Sequence, residues 1–309
     1  MSVITATEHV ENEERLDPVV ERLRDLVRRV PPGRVRDLAH GVQLGHPLHP
    51  LLVQLPIGAW VSASILDLTP DGERAGRLLI GVGLAGAVPA ALAGWLDWAE
   101  QHEQQMRVGL VHVAANVTAI GCYTASLATR ATGRTGWGRA LALAGLAAVG
   151  AGGWLGAHIA YRQAAGANHT EDVPHLVEPG WHPIGEIDDI PEGRPVRLQL
   201  GEVPVLVIRD AEHIRALADR CAHLSGPLSD GEVHEGTVTC PWHASTFRLS
   251  DGTPVRGPAT APQPVFQTRV RDGVLELRLP GAGWDGPATA TAAPCVGPGD
   301  AGSGGGEIP

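Results

Sequence analysis

Lysine is absent from this 309-residue sequence, and cysteine and aromatic residues are scarce. All 24 basic residues are therefore arginine, and they form no basic tract, which excludes the usual classes of nucleic-acid-binding protein. The four cysteines lie in unlike surroundings, which excludes a fold held together by disulfides; they are Cys122, Cys221, Cys240 and Cys295. Eight tryptophans outnumber two tyrosines and two phenylalanines, and tryptophan is typical of membrane interfaces.

The excess of negative charge is confined to the C-terminal half. Residues 1–166 contain 14 Arg and 14 Asp or Glu, whereas residues 167–309 contain 10 Arg and 20 Asp or Glu, so the second part carries the whole net charge of −10. This asymmetry indicates two parts in different environments. Because opposite charges steer association, the acidic part favours a protein partner with a basic docking face.

Four long apolar segments predict a four-helix transmembrane domain over residues 46–165. They are residues 51–68, 77–98, 108–129 and 139–161. Each is close to the ~20 residues that cross a bilayer, so we expect contact with membrane lipid. Buried helices of a soluble protein are the alternative, but four such lengths in series are rare there. Residues 1–45 are charged, do not resemble a signal peptide, and include an amphipathic stretch suited to a membrane surface or to solvent.

Four spans place both termini on one side of the membrane. More arginines flank the spans on that side than on the other, so the positive-inside rule favours cytoplasmic termini in a multi-pass integral membrane protein.

The same topology gathers polar residues at the level of one membrane face. An antiparallel bundle brings the start of spans one and three beside the end of spans two and four, which places these side chains in one layer: His46, His49, Asp97, His112 and His158. Three interpretations stay open. These residues can bond headgroups and cap helices. They can hold haem b or another metal. They can also handle protons at a quinone site.

Three stretches of this region resemble an uncharacterised family of small four-helix membrane proteins. They are GHPLHP (45–50), GWLDWAE (94–100) and GGWLGAHIAYR (152–162). The resemblance covers residues 35–165 and implies the four-span topology without a known activity.

The hydrophobic period changes to two beyond a polar linker at residues 166–181. Short alternating runs separated by Gly, Asp and Pro turns predict an all-β domain over residues 182–280. The runs are residues 196–200, 203–209, 265–270 and 274–279. Residues 281–309 are rich in Gly, Ala and Pro and predict a disordered tail.

Within the β domain, two short motifs each offer a thiol and an imidazole. Cys221-x-His223 is followed after 16 residues by Cys240-x-x-His243. A tetrahedral Cys2His2 zinc site is one interpretation. An asymmetric two-iron cluster, with both thiolates on one iron and both imidazoles on the other, suits the alternation of ligand types better.

The stretches CAHLSGPLSDG and TCPWHASTFRLSDG resemble the cluster loops of Rieske-type ferredoxins, and RGPATAP (256–262) is placed like their covering proline loop. The resemblance covers residues 182–279 and implies a β-sandwich with inserted loops that bind a [2Fe-2S] cluster. It implies that Cys221 and Cys240 bind one iron and that His223 and His243 bind the outer one.

Three further side chains are expected beside the cluster: Leu224, Ser245 and Phe247. High-potential Rieske proteins have a disulfide between the loops, but Ser225 or Gly226 and Trp242 stand at those positions here. Ser245 keeps one hydroxyl donor, whereas Phe247 replaces the tyrosine that would supply a second. With fewer donors to sulfur, we expect a potential in the lower or middle part of the Rieske range of about −150 to +300 mV.

These features predict a membrane-anchored electron carrier that passes one electron between a protein redox partner and another acceptor, which could be haem or quinone in the bundle. A redox sensor that uses the cluster to control a membrane assembly is the alternative. We do not expect a self-contained oxygenase, because the 30 residues after residue 279 are too few for a mononuclear iron domain.

Overall fold

The computed structural model describes residues 3–210 and 213–281, so the tail predicted at 281–309 lies almost wholly outside the described residues. The charged N-terminal region forms three helices, α1 (Val3–Glu11), α2 (Asp17–Val27) and α3 (Arg34–His40). Helix α3 ends at Gly41, whose φ of 82° is left-handed; a Cβ there would lie 2.1 Å from the carbonyl oxygen of His46.

Four apolar hairpin-connected spans follow, as the sequence predicts. They comprise α4 (His49–Leu52) with α5 (Gln54–Leu66), α6 (Glu73–Trp98), α7 (Glu103–Ala131), and α8 (Thr135–Ala157) with a π-helical turn at His158–Arg162. Among the described residues these four are long and apolar enough to cross a membrane. Each span begins two to five residues before the apolar segment seen in the sequence, because its first helical turn is polar, as at Glu103–Gln105.

Glycines let these helices approach closely. A Cβ at Gly83 would lie 2.2 Å from the Trp60 indole, and one at Gly109 would lie 2.4 Å from the Trp98 ring. Large aromatic rings therefore fill the space that the missing side chains leave, as small-residue packing in membranes predicts.

Buried ion pairs fix both ends of the bundle. At one end Arg130, which is 2% exposed, bonds both carboxylate oxygens of Asp67 at 2.6 and 2.5 Å. At the other end Arg107 bonds Asp17 of α2 at 2.6 Å. The second pair attaches the N-terminal helices to the end of the bundle at which the β domain lies.

The β domain contains a six-stranded and a four-stranded antiparallel sheet, which confirms the predicted all-β class. The first sheet has the order β1-β10-β9-β4-β3-β2 and the second β5-β6-β7-β8. The strands are β1 (His182–Glu186), β2 (Val196–Leu200), β3 (Val203–Arg209), β4 (Ile214–Ala218), β5 (Glu232–His234), β6 (Thr237–Thr239), β7 (Thr246–Arg248), β8 (Pro254–Arg256), β9 (Val265–Arg271) and β10 (Val274–Arg278). The small sheet is inserted between β4 and β9.

The segment predicted as a linker is ordered and packs on the β domain. It contains a short helix, α9 (Val173–Leu176), and Val173 is buried in the core of the six-stranded sheet. The backbone N–H of His169 donates to Ala222 at 2.9 Å. Asp172 pairs with Arg220. The segment therefore holds the β domain against the end of the bundle.

Candidate metal centre

Two loops of the β domain have the same pattern of backbone hydrogen bonds. In the first, the N–H of Cys221 donates to the carbonyl of Gly226 at 2.8 Å, and the N–H of Ser225 donates back to Cys221 at 2.9 Å. The second repeats this with Cys240, Ser245 and Ala244, at 2.8 and 3.1 Å. Ser225 and Ala244 both adopt left-handed φ values, 63° and 58°, which non-glycine residues adopt at a cost. Each loop thus curls around its own cysteine.

The two thiols face one another at the centre of these loops. Both are buried, and neither forms a disulfide. The hydrogen bond from Cys221 lowers the pKa of Cys240 to about 7 and raises the pKa of Cys221. Backbone N–H groups of residues two and three positions after each cysteine also point at its sulfur. Amide donors of this kind stabilise thiolates, the form that binds metal.

The two imidazoles form the second pair. The ring centroids of His223 and His243 are 5.1 Å apart, and the planes are nearly perpendicular at 84°. Nδ1 of His223 is buried without a hydrogen-bond partner, although buried polar atoms are normally satisfied. Burial lowers the pKa of His223 well below its ordinary value and that of His243 to about 4. Both rings are therefore neutral, the form in which histidine binds metal.

The four side chains fit a cluster of two metals. Among the described residues, no three Cys, His, Asp or Glu side chains are grouped so that they could bind one metal ion. In these loops the two sulfurs form one pair and the two imidazoles form another. A Cβ at Gly226 would lie 2.8 Å from the Cys240 sulfur, so the first loop approaches this sulfur more closely than any residue with a side chain would allow. When bound, a [2Fe-2S] group would supply one-electron redox chemistry, and the residues here would hold it and exclude water.

The three side chains expected beside the cluster are all buried. Leu224 is 3% exposed, and Ser245 and Phe247 are 0% exposed. The Ser245 hydroxyl oxygen accepts the N–H of Ala259 at 2.9 Å, which ties the proline loop to the second cysteine loop. Phe247 packs in one core with Cys221 and Cys240.

Gln263 is a supporting residue that the sequence analysis missed. Its side-chain oxygen accepts the N–H of Ala222 at 3.0 Å, and its amide nitrogen donates to Ala218 and Arg220 at 2.6 Å each. Its side chain is 2% exposed, and these three hydrogen bonds stabilise the backbone at the start of the first cysteine loop. A lone glutamine in a proline-rich stretch carries no pattern that predicts this role.

The polar residues at the membrane level are only partly brought together. His49 and His112 lie with ring centroids 6.3 Å apart, and the Nδ1–H of each donates to a backbone carbonyl at 2.8 Å. The others have separate surroundings: His46 is exposed, Asp97 accepts from His40 at 2.8 Å, and His158 bonds Glu11 of α1 at 2.6 Å.

The tip of the β domain that carries the two cysteine loops docks on this end of the bundle. The ring centroid of His102 lies 5.7 Å from that of His243 and 5.5 Å from that of Trp242. On the proline loop, the N–H of Gly257 donates to the Asp37 carboxylate of α3 at 3.1 Å. A Cβ at Gly257 would lie 3.2 Å from His40. His40, Asp37 and their contacts were missed, because nothing in the charged N-terminal sequence marks them as polar partners of the β domain.

Comparisons with known proteins divide the chain in the same way. Residues 180–267 match the Rieske [2Fe-2S] domain family, and residues 45–169 match a family described as a predicted membrane protein (DUF2231). The anthranilate 1,2-dioxygenase ferredoxin subunit of Burkholderia cepacia is 35% identical over 99 residues, 32% of this chain and 92% of that protein. The 3-phenylpropionate/cinnamic acid dioxygenase ferredoxin subunit of Escherichia coli (strain K12) is 34% identical over 97 residues, 31% of this chain and 91% of that protein. A solved carbazole 1,9a-dioxygenase complex of reduced oxygenase and oxidized ferredoxin aligns with 32% of this chain and 92% of that chain, at 28% identity and a TM-score of 0.30.

These matches define a Rieske-type electron-transfer protein with a [2Fe-2S] cofactor and a membrane domain. The chain belongs to the Rieske [2Fe-2S] family through its C-terminal domain, and a DUF2231 domain carries its four apolar helices. Both family resemblances predicted from the sequence are confirmed, and the Rieske match favours the two-iron cluster over a zinc site. Two of the relatives above are ferredoxin subunits of dioxygenases and thus belong to multi-protein systems.

Proposed function

We propose that this protein is a membrane-anchored one-electron carrier whose Rieske centre exchanges electrons with a protein redox partner and with an acceptor in its own membrane domain. Cys221 and Cys240 would hold one iron, and His223 and His243 the outer one. Leu224 and Ser245 would shape the sulfur side, and Phe247 would exclude water there.

The docking of the tip on the bundle is the observation that supports this function best. The ring of His243, one of the two histidines proposed as outer ligands, faces His102 at the start of α7 rather than pointing away from the membrane domain. An electron leaving through His243 therefore meets the membrane domain first. The acceptor that we propose there is a quinone or haem b near His49 and His112. A backbone carbonyl orients each ring through Nδ1, as is common for metal-binding histidines, and Nε2 of His112 accepts from the Asn116 amide at 3.1 Å, a bond that a metal would replace.

The proposed protein partner has a basic docking face, because exposed carboxylates cover the β domain, including Asp188, Asp189 and Glu192. Its association rate should then fall as ionic strength rises. The proposed orientation places both termini and the Rieske domain in the cytoplasm, where a soluble reductase or oxygenase component can reach them.

The test is spectroscopy of the full-length protein purified in detergent, oxidised and then reduced with dithionite. We expect a Rieske EPR signal that is lost in His243→Cys and His223→Cys. A protein that binds zinc and gives no EPR signal would refute the proposed centre. A reduced haem band in the same scan, lost in His112→Ala but kept in the surface variant His175→Ala, would identify the acceptor as haem. With no such band, a stoichiometric quinone in the solvent extract is required, and its absence too would refute an acceptor in the membrane domain.

A further inference from the structure

His102 is held in one orientation by its position at the start of α7. It caps the helix: its ring accepts the N–H of Gln105, while the Gln105 side chain accepts the N–H of His102 at 2.8 Å. Because one ring nitrogen accepts a hydrogen bond, the other carries the proton. His102 therefore carries a ring N–H, and its ring meets those of His243 and Trp242 in edge-type arrangements at the interface.

A positive charge lies beside the same interface, directly after the C-terminal end of α2. Arg28 and Arg36 share the carboxylate of Glu100, which is buried, so one positive charge remains in this group of three. Glu100 stands two residues before His102, in the turn that meets His243. Arg28 bonds Glu100 at 2.9 Å, so its charge lies beside this interface, although its side chain is 40% exposed.

The other ionisable groups near this interface have hydrogen-bond partners of their own. Asp97 is bonded to His40, and His169 lies 3.3 Å from the hydroxyl of Ser225. Asp37 is the opposing charge: it contacts the proline loop through the N–H of Gly257. The interface thus holds one positive and one negative group at different points around the centre, and each can be changed by itself.

We propose that Arg28 and the ring N–H of His102 raise the reduction potential of the docked Rieske centre, and that reduction in turn strengthens docking. The inference rests on the proposed function. Reduction by one electron from a small-molecule donor would add one negative charge to the centre that His243 is proposed to hold. A nearby positive group stabilises the reduced centre more than the oxidised centre. Whatever docking contributes to reduction, reduction must contribute equally to docking, because the two equilibria are linked.

The first test is a mediated potentiometric titration of full-length protein, followed by EPR. Arg28→Gln and His102→Phe should each lower the equilibrium constant for reduction by between about three- and tenfold, where tenfold corresponds to 59 mV for one electron. Asp37→Asn keeps an acceptor for Gly257 but removes the charge, so it should shift the potential in the opposite direction. Arg29→Gln, at the exposed arginine next to Arg28, is the matched control and should leave the potential unchanged.

The opposite signs separate electrostatic tuning from simple loss of docking. If the Arg28, His102 and Asp37 variants shift the potential in one direction, or leave it at the wild-type value, the proposal is wrong.

Hydrogen exchange provides a readout of docking itself, because the Gly257 N–H is bonded to Asp37 only while the tip is docked. Peptides that contain Gly257 should exchange more slowly in the reduced than in the oxidised protein; equal exchange would contradict the linkage. Loss of the EPR signal in the wild type would instead refute the proposed function.

Discussion

Gln263 should contribute more to the stability of the Rieske domain than any other single polar side chain that contacts the cysteine loops. In Gln263→Ala, the N–H of Ala222 and the carbonyls of Ala218 and Arg220 lose a partner in a buried site. Each net hydrogen bond contributes about 0.5–1.5 kcal/mol, so three of them give about 2–4 kcal/mol. For a domain of about 100 residues, 1 kcal/mol shifts the melting temperature by about 4–8 °C, and the expected loss is therefore about 10 °C or more.

The assay follows the visible absorption of the cluster during heating, with all variants scanned at one rate. Gln267→Ala is the matched control, because Gln267 is an exposed glutamine on the next strand that bonds only the side chain of Arg278 among the described residues. Gln263→Glu tests the donors separately, since a carboxylate keeps the acceptor for Ala222 and loses both N–H donors. A midpoint for Gln263→Ala within about 2 °C of the Gln267→Ala midpoint would refute this account of the loop.

Three other changes have defined outcomes. Gly226→Val should abolish cluster binding, measured as iron and acid-labile sulfide per chain, because the added Cβ would lie 2.8 Å from the Cys240 sulfur; full occupancy would contradict the loop geometry. Asp67→Asn should destabilise the bundle by about 3–5 kcal/mol in a detergent unfolding assay, because it leaves the buried guanidinium of Arg130 without its counter-ion; an Asp67→Asn midpoint equal to wild type would show that Arg130 is solvated. The iron-free protein should be most stable above pH 6.5 and lose stability as pH falls towards 4, because burial lowers the pKa of His243 to about 4 and the unfolded chain therefore binds that proton first; equal urea midpoints at pH 7 and pH 5 would exclude this contribution.

The sequence predicts those parts of the fold in which local pattern and structure coincide. The four spans follow from length and hydropathy, and β9 and β10 follow from alternation on both sides of Asp272 and Gly273, a two-residue turn with φ values of 52° and 86°. The cysteine and histidine spacing identifies the cluster loops, because the ligand types themselves carry the information. The roles of the four ligands stay a prediction, which the EPR experiment tests.

The contacts between the two domains could not be predicted in the same way. Asp37 and Gly257 are 220 residues apart, and each looks like an ordinary surface residue in its own segment. Asp97 and His158 bond His40 and Glu11, and the order of the spans along the chain could not give these partners. Helix rotation and the path of α1 and α3 decide those partners, and neither follows from the hydrophobic pattern.

The separation of Asp37 and Gly257 along the chain also orders the events of biosynthesis. At about 5–20 residues per second, the ribosome needs about 10–40 s to add the 220 residues between them. The N-terminal helices and the four spans are therefore made, and can be inserted, before the proline loop exists. The surface that receives the tip is therefore synthesised before either cysteine loop, and docking follows only once the proline loop has been made.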